Sequence, residues 1–185
     1  MIQIAFVNGK GGVGKTTCAM LVAAALKNAG QTVSLDDRDP QKSATALAKV
    51  FGLPVGRNAD IVIIDTPPNI KAPETLDAIK TASLLVLVAT PIPIDLATTS
   101  ATAELIKKLR TGPTRLLFNN VMTTNRFFDS MEETAKRISF SPFKNFLARR
   151  TAYQVTQIEG WKAIPPAHRE EVINITSEIA LALSK

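Results

Sequence analysis

A chain of 185 residues, 45% of them hydrophobic, is long enough for one domain, residues 1–185, around a full hydrophobic core. Its single cysteine, Cys18, excludes a disulfide framework and a cysteine-ligated metal or iron–sulfur centre built by one chain, and no run of about 18 apolar residues is present to span a bilayer. The net charge of +6 lies in the second half: residues 101–185 carry thirteen Lys or Arg against eight Asp or Glu, residues 1–100 nine against eight. The sequence opens on a strand pattern rather than a charged and apolar leader, so the expectation is a soluble cytoplasmic protein in a reducing compartment. The basic half suits sequence-independent attraction to nucleic-acid phosphates and equally an ordinary solvated face.

IQIAFV at 2–7 is a short apolar run that suits a buried parallel strand. NGKGGVGKTT at 8–17 follows and fits G-x-x-x-x-G-K-[ST], with Gly9, Gly14, Lys15 and Thr16 at the fixed positions. Glycines let successive backbone N–H groups converge on one anion, so Gly11, Gly12, Val13, Gly14, Lys15, Thr16 and Thr17 form the cofactor-binding loop. Lys15 supplies a point charge to the outer phosphates, Thr16 a hydroxyl to magnesium, and the helix TTCAMLVAAALKNAG its positive dipole end before Gly30 closes it. Cys18 on that helix reads as a packed side chain.

A second strand at about 31–35 leads into Asp36, Asp37 and Asp39 with Arg38 among them, carboxylates at the end of a parallel strand where doubly wound sheets bind ligands. KSATALAKVFG at 42–52 reads as a short amphipathic helix, and DIVIIDTPP as a buried strand ending in Asp65, the form of a magnesium-holding aspartate. A helix starts near Pro73, an apolar strand lies within 83–95, and Asp95 caps a helix that Gly112 stops. TRLLFNNV at 114–121 is the fifth strand. In the helix at 125–138, Phe127, Phe128, Met131, Ala135 and Ile138 lie at helical spacing and read as core. Trp161 reads as packing and His168 as a surface residue. A terminal helix at about 168–184 places Val172, Ile175, Ile179, Ala182 and Leu183 on one face. Alternating apolar strands and helices of this length imply an α/β fold, a three-layer P-loop NTPase with a mainly parallel sheet and helices on both faces. The loop, the two acidic strand ends and the Thr16 hydroxyl specify a magnesium-dependent nucleoside triphosphatase.

Lys10, immediately after the first glycine, is not needed by the general loop pattern. With it the string KGGVGKTT, the DRDPQ segment at 37–41, IIDTPP at 63–68 and the Pro-x-Pro-x-Asp turn at 91–95 resemble the deviant Walker A ATPases that include ParA and MinD, over nearly the whole chain. The resemblance implies catalytic roles for Lys10, Lys15 and Asp39: Lys10 reaching the nucleotide of a partner subunit, Asp39 positioning the attacking water. It implies magnesium held with Thr16, Asp37 and Asp65, a switch segment from Thr66, and adenine contact by Asn119 or Asn120, with Asn119 preferred. It further implies ATP and Mg2+ as cofactors, an ATP-dependent homodimer, non-specific DNA as a partner with nucleoid association in the ATP state, and a ParB-like or other adaptor that stimulates slow hydrolysis. The cargo is then a plasmid, chromosome region or other large assembly. Arg149, Arg150 and Lys144 are the DNA-contact candidates, Arg150 being equally suited to a structural ion pair. Asp36 departs from the family, which has an apolar residue there; this extra carboxylate threatens nucleotide or metal binding, and Arg38 offsets it. The span from Gln41 to Asp65 is shorter than in longer members. MinD-like relatives end in a basic membrane-binding helix, whereas the terminal helix here has Glu170, Glu171 and Glu178 against Arg169 and Lys185 and suits docking on the core, with no membrane partner. The alternatives are a MinD-like ATPase acting on a membrane and a metabolic P-loop phosphotransferase.

Overall fold

A computed structural model describes residues 1–184, so Lys185 lies outside the described residues. Five strands, β1 (Ile2–Val7), β2 (Val33–Asp37), β3 (Ile61–Asp65), β4 (Leu84–Ala89) and β5 (Thr114–Phe118), pair in parallel in the order β2-β3-β1-β4-β5. Of the central strands, β4 is apolar throughout and β1 and β3 are apolar but for Gln3 and Asp65, because both faces are covered. Ile4 and Phe6 of β1 enter one core with α1 (Lys15–Asn28), α2 (Ser43–Phe51), α6 (Thr151–Glu159) and α7 (Pro166–Leu183). Ala5 and Val7 enter the other with α3 (Pro73–Thr81), α4 (Pro93–Leu109) and α5 (Asn125–Ile138). The chain leaves β1 toward one side of the sheet and returns past it to β4 on the other. The crevice at the carboxyl ends of the strands therefore opens beside β1.

The helix ends follow local chemistry. Gly30, at φ 84°, ends α1 with Gln31 N–H donating to the Leu26 carbonyl and Gly30 N–H to that of Lys27, a Schellman closure. Strand β2 runs two residues later than its apolar pattern implies, because Asp36 and Asp37 pair with Ile64 and Asp65 in the ladder. The short central segment is used at the sheet margin: Leu35 N–H donates to the Pro54 carbonyl and Gly56 N–H to that of Leu35, so the outer edge of β2 is paired at its middle residue. On the opposite edge, Leu116 pairs with Pro142 and Val121 with Ala148.

Three expectations are corrected. Asp95 is not a helix cap: α4 begins at Pro93, and Asp95 sits inside its first turn, accepting from Thr90 Oγ1 at 2.7 Å. Only Ile138 of the α5 apolar set is fully buried; Met131 and Ala135 pack partly, and Phe128 is exposed against Phe146 at 5.8 Å, since α5 runs past the end of the core. His168 is half-buried with its ring edge on Tyr153 at 6.4 Å, rather than on the surface.

Helix α7 docks as expected, burying Val172, Ile175, Ile179 and Ala182, and two of its carboxylates have internal partners. Glu178 accepts from the backbone N–H groups of Lys144 and Asn145, at 2.7 and 2.9 Å. Glu171 accepts from Arg150, from the Tyr153 hydroxyl at 2.8 Å and from Ala148 N–H at 3.4 Å. Burial, reinforced by Glu171, pushes the Tyr153 phenol up. Glu171→Gln removes the charge that these donors share and is expected to cost about 2 kcal/mol, as for hydrogen bonds to a charged group. A urea midpoint unchanged by this substitution would show the joint to be dispensable.

Candidate nucleotide site

The loop between β1 and α1 is fastened by side chains before it turns. Asn8, 1% exposed, donates from Nδ2 to the Val88 carbonyl at 2.7 Å and to Thr99 Oγ1 at 3.0 Å, while its Oδ1 accepts from Lys10 N–H at 2.9 Å. Gly9 N–H donates to Thr102 Oγ1 at 3.1 Å. The first limb of the loop is thereby tied to β4 and α4. Gly14 stands before α1 at φ 89°, and no side chain caps the helix or places an acid in its first turn. The first-turn N–H groups and the positive end of the helix dipole are left for an anion.

Lys15 is only 6% exposed and donates to the Lys10 carbonyl at 3.3 Å. Burial lowers its ammonium below the ordinary value, and Asp65 and Asp39 oppose that shift. Thr16 Oγ1 donates to Asp65 Oδ2 at 2.7 Å. Asp65 has no exposure, its Oδ1 has no hydrogen-bond partner, and burial raises its carboxyl to about 7. An unpartnered buried carboxylate oxygen beside a hydroxyl fits a hard cation. Among the described residues no group of three His, Cys, Asp or Glu side chains is set to hold a metal, so Thr16 and Asp65 would hold a magnesium ion only together with ligands from the nucleotide and water.

Asp37 is buried in its own turn. Its Oδ2 accepts from Thr45 N–H and Oγ1, each at 2.7 Å, and its Oδ1 from Asp39 N–H at 3.1 Å. Asp39 is half-buried and accepts from Gln41 N–H at 2.9 Å. Asp36, one residue earlier on the strand, faces the other side. It pairs with Arg38 Nε at 2.7 Å and Arg57 Nε at 3.0 Å, and Arg38 also reaches Asp77 at 2.7 Å. The extra carboxylate is offset by Arg38, as expected, and by Arg57, which no local pattern marked.

Asn119 is buried against the loop, donating from Nδ2 to the Val13 carbonyl at 2.8 Å. Asn120 is exposed at φ 58°. Lys10 rests on its own chain: its ammonium lies 3.3 Å from Asp95 Oδ1 and its side chain is 42% exposed. Of the DNA-contact candidates, Lys144 and Arg149 are exposed, whereas Arg150 is turned onto Glu171. Sequence reasoning missed Asn8, Thr99 and Thr102 as loop anchors; the two threonines face the loop one helical turn apart on α4, a spacing that could have marked them.

A parallel sheet whose central strand runs into a glycine loop, an uncapped helix and a buried lysine defines a P-loop nucleotide-binding protein. Residues 4–156 match the CobQ/CobB/MinD/ParA nucleotide-binding domain, and the chain belongs to that family. It is similar to the maintenance of carboxysome distribution protein A of Halothiobacillus neapolitanus, 28% identical over 182 residues, covering 85% of this chain and 84% of that protein. The protein of the same name from Gloeobacter kilaueensis is 37% identical over 112 residues, so the match spans about half of each chain (51%). Among solved structures, a putative plasmid partition protein from Borrelia burgdorferi bound to AMPPNP shares the fold, with a TM-score of 0.75 at 16% identity and coverage of 97% of this chain and 98% of that one. Among the described residues no helix is long and apolar enough to cross a membrane.

Proposed function

We propose that this chain is a dimerising, magnesium-dependent ATPase that positions a large cargo on DNA. Lys10 carries the reading: a lysine beyond the needs of phosphate binding stands half-exposed on the outer limb of the loop, where the phosphate of a second copy's nucleotide can exchange for Asp95. The loop N–H groups and Lys15 hold the phosphates, and Asn119, which braces Val13, is the adenine contact of this reading. Thr16 and Asp65 hold magnesium with help from Asp37, whose turn also fixes Asp39 for the attacking water. Magnesium, when bound, neutralises charge developing on the phosphates.

Two copies closed on ATP then bind DNA without sequence preference, and a ParB-like or other adaptor stimulates slow hydrolysis that releases them. The carboxysome-distribution relatives support a large assembly as cargo, and the partition-protein fold supports a plasmid or chromosome region. The docked α7, with Glu171 and Glu178 used internally, supports DNA over a membrane surface.

The test is a mobility-shift titration on arbitrary duplex DNA at low salt with ATP, ADP or no nucleotide. Binding is expected only with ATP, and Lys10→Ala abolishes it while leaving ATP binding to the monomer in place. Binding that ignores the nucleotide, or survives Lys10→Ala, removes the dimer from the mechanism.

A further inference from the structure

The carboxyl ends of α3 and α4 meet at the amino ends of β4 and β5, at the opposite end of the strands from the nucleotide loop. A concavity of about 510 Å³ lies between them, lined by Lys80, Lys107, Lys108 and Arg110 and by no carboxylate. Arg110 is built in: its guanidinium donates to the carbonyls of Ile79 at 2.9 Å and Pro113 at 3.2 Å. It also lies over Gly112, where a Cβ would come within 2.4 Å of its Nη2, so a side chain at 112 would displace the guanidinium. Lysines at helix ends ordinarily offset the dipole, but two carboxyl ends amount to roughly one negative charge in total. The one carboxylate that pairs with this cluster is the exposed Glu104, 2.8 Å from Lys107. Four cations against about two negative charges leave a surplus of about two at this one place.

We propose that this concavity is a contact surface for the phosphate backbone of nucleic acid, separate from the Lys144–Arg149 segment; the inference rests on the DNA-binding reading above. Its chemistry suits a polymer of phosphates rather than a single phosphate ester. The three lysines are exposed point charges on flexible stems, and such contacts fix a backbone in place without reading bases. The nucleotide loop, by contrast, offers backbone N–H groups and the buried Lys15 to the phosphates of one nucleotide. The concavity lies at the amino end of β5 and Arg149 beyond its carboxyl end, where its N–H donates to the Val121 carbonyl; the strand between spans about 17 Å, so one duplex can touch both.

The experiment measures DNA affinity against salt concentration in ATP for the wild-type chain, the triple variant Lys80→Ala/Lys107→Ala/Lys108→Ala, and Arg149→Ala. Each phosphate contact contributes about 0.9 to the logarithmic salt slope, so the triple variant is expected to lose about 2.7 from the slope and at least about tenfold in affinity at low salt. ATP-dependent dimerisation, read by light scattering, stays intact in it, and the matching Lys→Arg triple keeps the wild-type slope. An unchanged slope in the alanine triple overturns this surface alone. Absence of DNA binding by the wild-type chain overturns both this surface and the DNA-binding reading. If the triple keeps its DNA slope and instead loses binding to phosphatidylserine vesicles, the assignment to nucleic acid is wrong.

Discussion

Asp65→Asn is expected to make the nucleotide- and metal-free protein more stable at pH 8 while abolishing magnesium-dependent nucleotide binding. Burial raises the Asp65 carboxyl from 3.8 to about 7. Between those values the folded chain holds a proton that the unfolded chain has released, so stability falls as pH rises from about 4 to about 7. At 1.36 kcal/mol per pKa unit, the penalty at pH 8 reaches up to about 4 kcal/mol. Asparagine keeps the shape and the Thr16 contact and removes the charge. Lys15 then loses its nearest counter-charge, so the net gain is about 1–3 kcal/mol. Urea midpoints at pH 5 and pH 8 check this. The wild-type chain is the more stable at pH 5, and the variant loses most of that dependence. A wild-type protein that gains stability over the same interval contradicts the assignment of a buried, strained carboxylate.

Gly14→Ala is expected to cost about 2–4 kcal/mol and to weaken nucleotide binding more than a hundredfold, combining left-handed strain with a lost hydrogen bond and a displaced phosphate cradle. The residue sits at φ 89°, and a Cβ there would come within 2.1 Å of Asn119 Nδ2, which must then leave the Val13 carbonyl. Gly12 supplies the control. Its φ is 79°, but a Cβ there meets nothing within 4 Å, so Gly12→Ala carries only the backbone strain of about 1–2 kcal/mol. Denaturant midpoints and fluorescent-nucleotide titrations on the pair separate the two causes. Equal losses would show that Asn119 does not brace the loop.

The loop was legible because its parts lie within ten residues and each residue type answers a fixed geometric need. The central strands were nearly as plain, since burial on both faces writes β3 and β4 as apolar runs; β2 was placed two residues early because Asp36 and Asp37 belong to its ladder. Asp95 misled because an acid ahead of a helical pattern imitates a cap; Pro93, two residues earlier, is what starts α4, and its fixed φ suits a first helical position. The α5 periodicity identified a face but not what covers it, so Phe127 and Phe128 were assigned to a core that ends before them. Asn8 to Thr102, Asp36 to Arg57 and Arg150 to Glu171 join residues far apart in sequence, and no local spacing encodes such pairs. Arg150 illustrates the limit: its sequence context gave it two roles, and only the position of α7 chose between them.

The occupied margins of the sheet have a bearing on how copies of this chain meet. Backbone groups of β2 are taken up by the segment around Pro54, and those of β5 by residues near Pro142 and Ala148. An unpaired outer strand invites another chain to extend the ladder, and this chain offers no such template along these stretches. On the proposed reading this favours closure of two loop-bearing faces, which stops at two, over growth by strand addition, which has no natural end. Loosening either bordering segment should therefore show up first as open-ended aggregation of the protein rather than as weaker catalysis.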